Sequence, residues 1–231
     1  MKKYLFLLIL LPAFVSAQES VIVNVDSGDE FSEKVSKEVQ YIFPEFTDGI
    51  VYFKNGKRVG SKMNYNNYLN EMHFMDNEEV LALLDLSDIS IIVIDKRRFF
   101  SFNNSEFCEE ILANDKIRLC LRRMGSISEY SKMGGYGMTS STSAIKTYSS
   151  TYGSNNVRTD LKFLGEVKLK VNNLYYLMND KGQFTQIKNV KNFTKQFPGN
   201  NAKIEAFVKE NKTDFKNEED LKTLLEYCFT L

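Results

Sequence analysis

His73 is the only histidine in the chain, and it stands two residues after a carboxylate in the alternating segment Glu71-Met72-His73-Phe74. An imidazole beside a carboxylate is the start of a general base, which also needs a nucleophile or bound water held in a fixed geometry. Residues 131–160 carry many Ser hydroxyls, but nothing in their spacing ties any of them to His73. The residues alone therefore read as a half-buried or surface histidine whose replacement by alanine is tolerated, and no catalytic residue is assigned. Cys108 lies 35 residues downstream of that histidine, so no base is placed beside a thiol by sequence. One His and three Cys leave too few of the usual ligands for a zinc site, and neither metal nor cofactor is expected.

Two glycine-bearing stretches resemble phosphate-binding loops only superficially. Gly56-Lys57-Arg58-Val59-Gly60-Ser61-Lys62 has the wrong order of Gly, Lys and Ser and falls between strand signals, so it reads as a hairpin turn. Gly134-Gly135-Tyr136-Gly137 lacks the further spacing of a dinucleotide fingerprint and follows no strand–helix–strand pattern. The acidic run at residues 26–30 lacks the alternating ligand order of a calcium loop. Lys96, Arg97 and Arg98 with Arg118, Arg122 and Arg123 read equally well as a local basic patch or as solvated strand ends. The remaining candidate is a surface for contacts. Tyr65, Asn66 and Tyr68, in the segment Asn64-Tyr65-Asn66-Asn67-Tyr68, together with Tyr136, Tyr148 and Tyr152, would present aromatic rings with hydrogen-bonding tips, suited to a protein or a glycan.

These residues must be positioned by a framework that the hydrophobic pattern outlines. Strand signals fall at residues 21–25, 50–53, 59–66, 71–75, 80–84, 89–94, 99–102, 117–122, 161–171, 174–178 and 183–187, and a short helix is expected within 31–41. Asn55-Gly56 offers two positive-φ positions for a tight hairpin turn. Residues 131–160, rich in Gly, Ser and Thr with no apolar period, read as a mobile loop. Beyond residue 187 the pattern becomes helical: Val190, Phe193 and Phe197 share one face, Ile204, Phe207 and Val208 another, and Leu221, Leu224, Leu225 and Cys228 a third, with Asn217 as an N-cap. The expected fold class is α+β: an antiparallel meander, with strong curvature as one form of it, over 18–187, and a helical segment over 188–231 docked upon it.

Composition narrows the function. The chain has 231 residues, 43% hydrophobic and 26% charged, with 30 Lys and Arg against 30 Asp and Glu. That balance lacks the basic excess that nucleic-acid binding requires. Met1-Lys2-Lys3, an apolar run over 4–15 and the small residues of Val15-Ser16-Ala17 predict a signal peptide over 1–17, cleaved before Gln18. Its apolar run is shorter than the ~20 residues that span a bilayer, so no transmembrane segment is expected after cleavage. An odd number of cysteines in an oxidising compartment favours three free thiols; a Cys108–Cys120 bridge and pairings with Cys228 remain open.

The landmarks Pro44-Glu45-Phe46-Thr47-Asp48-Gly49, Phe53-Lys54-Asn55-Gly56, Met63-Asn64-Tyr65-Asn66, Asn70-Glu71-Met72-His73-Phe74, Tyr136-Gly137, Phe197-Pro198, Lys209-Glu210-Asn211 and the run from Asp214 through Leu221 together resemble a family of uncharacterised exported proteins of Bacteroidetes-type bacteria. The resemblance covers most of the mature chain and implies export into a Gram-negative envelope, periplasmic or secreted, with no activity or ligand attached. The pattern it follows has Gln at the place of His73, which speaks against a family-wide catalytic role. The expected function is an exported, non-catalytic binding or structural module for an envelope protein or glycan. A carrier of an apolar ligand, motivated by 18 Phe and 8 Met, is the alternative, and a hydrolase the minor one.

Overall fold

The structure, a computed structural model, describes residues 20–25, 35–104, 106–129, 132–133, 139–140, 151–152, 158–159 and 165–231. The expected signal segment and the acidic turn at 26–30 lie outside the described residues, as does most of 131–160. In chain order the elements are β1 (Ser20–Val25), α1 (Lys37–Gln40), β2 (Thr47–Phe53), β3 (Arg58–Asn66), β4 (Glu71–Asp76), β5 (Glu79–Ala82), β6 (Ile89–Ile94), β7 (Arg97–Phe102), β8 (Glu106–Ala113) and β9 (Ile117–Glu129). Two short ladders follow, β10 (Lys132–Met133) with β11 (Thr139–Ser140) and β12 (Thr151–Tyr152) with β13 (Arg158–Thr159). The chain ends with β14 (Gly165–Asn179), β15 (Phe184–Gln186), α2 (Val190–Thr194), α3 (Asn201–Asn211) and α4 (Glu218–Phe229).

Eleven strands form one open sheet, ordered β1-β14-β9-β8-β7-β6-β2-β3-β4-β5, with β15 added on β14. Every pairing is antiparallel. The order contains two four-strand meanders, β2 to β5 and β6 to β9, laid side by side through the β2–β6 pairing, with β14, β1 and β15 added beyond β9. Meander connections are short turns, so register follows from turn chemistry. At the β4–β5 turn Asn77 (φ 46°) and Glu78 (φ 74°) both take left-handed backbone, the arrangement of a two-residue hairpin turn. The β2–β3 turn differs from expectation: Gly56 alone takes positive φ (84°), and Phe53 N–H donates to Lys57 C=O across a longer loop.

The sheet carries apolar side chains on both faces. Val51, Met63, Tyr65, Met72, Ile92, Ile94, Phe99 and Phe107 form one cluster, closed by Leu86 from the connection after β5. Farther along the same face, Leu119, Leu121, Tyr175 and Leu177 meet Phe193, Ile204, Leu221, Leu224, Leu225 and Cys228 of the helices. The opposite face holds Phe102, Cys108, Cys120, Tyr176 and Met178. Tyr65 of β3 stacks on Phe99 of β7 and meets Phe107 of β8 edge-on, although β3 stands several strands away in the sheet order. The turn between β3 and β4 reaches β9 as well: Gly125 N–H donates to Asn70 Oδ1 at 2.9 Å, and a Cβ at Gly125 would lie 2.3 Å from Asn67 O and Tyr68 Cα. Only a residue without a side chain admits that approach.

The helices form where the sequence places them. Asn217 Oδ1 accepts from Asp220 N–H, and Glu218, Glu219 and Asp220 occupy the first turn of α4, complementing its positive end. Their buried stripe docks on the sheet, as the pattern required. All three cysteines are free and buried. Register places Cys120 opposite Glu110, so Cys108 and Cys120 are diagonal neighbours and not a facing pair.

Candidate functional site

Of the contact surface expected from the tyrosines, the β3 part is not a surface. Tyr65, Asn66 and Tyr68 are 2%, 1% and 8% exposed, so this part of the expected site is corrected. The end of β3 is covered on both faces, by the aromatic cluster on one and by residues 40–46 on the other. Tyr65 fills the first, and burial pushes its phenol well above the ordinary range. Asn66 Oδ1 accepts from Tyr68 N–H and Leu69 N–H, a local turn motif that fixes the β3–β4 corner. Asn64 does the same for the covering segment: its amide donates to Phe43 C=O and Glu45 C=O and accepts from Phe43 N–H. These asparagines are interior polar groups whose hydrogen-bonding capacity is taken up by backbone and, for the Asn66 amide, by Gln40 Oε1, which is what allows their burial. Tyr136 and Tyr148 lie outside the described residues, and Tyr152 belongs to β12 with its side chain outside them.

His73 is 4% exposed, more deeply buried than the sequence suggested. Its Nε2 lies 2.9 Å from Glu71 Oε2 and its Nδ1 2.9 Å from Tyr41 Oη. A carboxylate only accepts, so in the neutral ring Nε2–H donates to Glu71 and Nδ1 accepts from the Tyr41 hydroxyl. Tyr41 lies edge-on to the imidazole and to Phe46. Hydroxyl, imidazole and carboxylate in series form the order of a nucleophile, a base and its orienting group. They also form a tie that holds residues 40–46 against β4. The sequence reading missed Tyr41 because its distance from His73 is bridged only by the β3–β4 fold. We expect His73→Ala to lower stability by about 2 kcal/mol, because two interior hydrogen bonds are lost and their partners left facing a cavity. A urea midpoint equal to that of the parent would contradict this and restore the tolerance expected from sequence.

The arginines do not form a free basic patch. Arg97 and Arg123 converge on Glu109 on one face, while Arg98 and Arg118 meet Glu110 and Arg122 meets Glu106 on the other. Arg118 lies over Phe100 and Arg122 over Phe102, so their stems and guanidinium planes cover apolar rings. All three glutamates come from β8, a strand absent from the sequence reading. The signal was present in retrospect: Glu106 and Glu110 share the four-residue spacing of Arg118 and Arg122, which in strands places each pair on one face. Burial raises the Cys120 and Cys228 thiols to about 12 and Cys108 further, so none is a thiolate near neutral pH.

Two open features stand out among the described residues. A cleft of about 1290 Å³ lies between β14, β15 and the α3–α4 connection, lined in part by Asn173, Tyr175, Gln186, Lys188, Asp214 and Glu218. Its amides and opposed charges could hold a polar chain, but they converge on no single point. The other is β5, one of the two end strands of the sheet, β1 with its exposed Ile22 being the other. Among the described residues, three of the exposed large apolar side chains, Val80, Leu81 and Leu84, fall on or beside β5. No group of three or more metal-ligating side chains occurs among the described residues, and no helix among them is long and apolar enough to cross a membrane. No protein-family profile matches the chain, and no curated protein or solved structure was found to be similar to it.

Proposed function

We propose that the chain is an exported, non-catalytic binding or structural protein of a bacterial cell envelope, periplasmic or secreted, and that it engages another protein through the β5 edge of its sheet. One observation carries the reading: adjacent residues of the end strand, Val80 and Leu81, project to opposite faces and are 48% and 38% exposed. Natural sheets blunt their edges with Lys, Pro or a covering element, because an open edge recruits another strand. The strand β5, four residues reading Glu-Val-Leu-Ala, has neither Lys nor Pro, and its one charge, Glu79, stands at its start and leaves Val80 to Ala82 uncharged. Export is supported by the cationic and apolar pattern of residues 1–17 and by the resemblance to exported proteins.

Abundant Phe and Met in a curved sheet would suit a carrier of an apolar ligand. Contacts of Tyr65 and Gly125 across the sheet support curvature. Yet Met63, Met72, Phe99 and Phe107 are at most 2% exposed and are packed against one another, so these four serve as core without a ligand. A hydrolase has one specific observation in its favour, the Tyr41–His73–Glu71 series. The near-complete enclosure of His73 favours the structural role instead.

The test is photo-crosslinking in the native envelope. With benzoylphenylalanine in place of Leu81, a discrete adduct is expected, and none with the probe at the exposed helix position Glu205. Equal or absent adducts at the two positions overturn the edge as the binding face. Turnover of envelope glycans, peptides or esters that His73→Ala abolishes would overturn the non-catalytic reading.

A further inference from the structure

Resting on that reading, we propose that β5 accepts an added β-strand from a partner, and that the partner segment is an extended chain with an apolar middle and cationic ends. The backbone supplies the first half of the argument. Leu83 N–H donates to Met72 C=O at 2.8 Å, so alternation along an antiparallel ladder turns the N–H and C=O groups of Val80 and Ala82 away from β4. Among the described residues no strand lies on that side of β5. An extended chain placed there would complete the ladder at Val80 and Ala82 without displacing anything of β4.

Side chains decide what that chain must be. Register aligns Met63, Phe74 and Leu81 in one row across β3, β4 and β5. Along the row exposure climbs from 1% at Met63, through half-burial at Phe74, to 38% at Leu81. The inner apolar row thus ends unfinished, and one further apolar residue on an added strand would continue it. Val80, on the opposite face, asks for the same. Charge sets the ends. From Glu71 to Asp88 the chain carries six carboxylates, Glu71, Asp76, Glu78, Glu79, Asp85 and Asp88, and no Lys or Arg. Asp76, Glu78 and Glu79 are exposed at one end of β5, and Asp85 is exposed past the other. Cationic residues flanking an apolar centre match this sequence of acid, apolar and acid. A second copy of β5 fits poorly, because carboxylates would meet carboxylates, and an anionic membrane is repelled for the same reason. Glu78 holds a left-handed turn position (φ 74°) that Gly or Asn would take with less strain, so a carboxylate is kept there at a conformational cost.

The experiment uses the mature full-length chain and three acetylated, amidated octapeptides: Lys-Lys-Val-Val-Val-Val-Lys-Lys, its Glu-ended counterpart, and Lys-Lys-Pro-Pro-Pro-Pro-Lys-Lys, whose centre has no N–H on either edge. Fluorescence anisotropy should show salt-sensitive binding of the first. The other two should bind about tenfold more weakly or less, one lacking charge complementarity and the other lacking ladder donors. Val80→Pro removes an outward N–H and leaves the β4 ladder intact, so it should weaken the first peptide by about tenfold with an unchanged denaturation midpoint. Amide exchange should slow at Val80 and Ala82 in the complex. Absence of binding, equal binding of the Pro-containing peptide, or undiminished binding by Val80→Pro overturns strand addition. An envelope adduct at position 81 that survives Val80→Pro would overturn strand addition while leaving the binding function standing.

Discussion

A chain ending at Ile187 is expected to lose cooperative folding. The helices beyond it bring Phe193, Ile204, Leu221, Leu224 and Leu225, each 0% exposed, onto the sheet residues Leu119, Leu121, Tyr175 and Leu177. At about 2 kcal/mol for each fully buried side chain, those five contribute roughly 10 kcal/mol, which is the scale of a whole domain's net stability. Removing them also exposes an apolar sheet face that water cannot solvate favourably, so aggregation and dye binding should accompany the loss. Leu224→Ala gives the graded version of the result: a cavity among the helices costing about 3 kcal/mol, read as a lower denaturant midpoint with an unchanged fold. A soluble chain ending at Ile187 with the parent's midpoint would show that sheet and helices are independent units.

Gly125→Ala is expected to have the largest effect of any single-methyl addition in the sheet. The new Cβ would sit 2.3 Å from Asn67 O and Tyr68 Cα and 2.5 Å from Tyr68 O, all backbone atoms that cannot rotate aside. Either β9 or the β3–β4 turn must retreat, stretching the Gly125–Asn70 hydrogen bond and loosening Tyr68 from its buried place. The cost is about 3 kcal/mol by the measure of overpacked cores, or roughly 6–12 °C in melting temperature at this chain length. Gly60→Ala is the control, since its Cβ meets nothing nearer than Gly49 O at 3.7 Å. Equal midpoints for the two variants would mean that the turn does not rest on β9.

Much of the framework was legible along the chain. The run at Ile89–Ile94, β-branched except for Ser90, belongs to a strand with neighbours on both sides, so strict alternation was not to be expected there. Alternation in Ile117, Leu119 and Leu121 gave the start of β9, although the strand runs on to Glu129 through residues with no apolar period. Asn217 and the three acids after it marked the start of α4 because capping is a property of adjacent residues. The two expected strands at 161–171 and 174–178 proved to be one, β14: the polar pair Asn172-Asn173 interrupts the hydrophobic pattern but not the ladder, where it pairs with Met124 and Arg123. The strand β8 went unread because Glu109 and Glu110 break its alternation, and their burial depends on arginines that only the β7–β8–β9 pairing brings near.

By itself, then, the sequence determined what neighbours along the chain determine: an antiparallel α+β framework, its turns and caps, and the amphipathic faces of its last helices. The tertiary structure decided what distant pairs determine. It enclosed Tyr65, Asn66 and Tyr68, whose polar tips had suggested a surface, because residues 40–46 and the far strands β7 and β8 close over both sides of β3. It joined His73 to Tyr41 through a fold that no spacing encodes. It also left Val80 and Leu81 at the margin of the sheet, and that decision is purely topological. A strand of identical sequence is core when flanked on both sides and open edge when flanked on one, and only the order in which strands pair assigns β5 to the end.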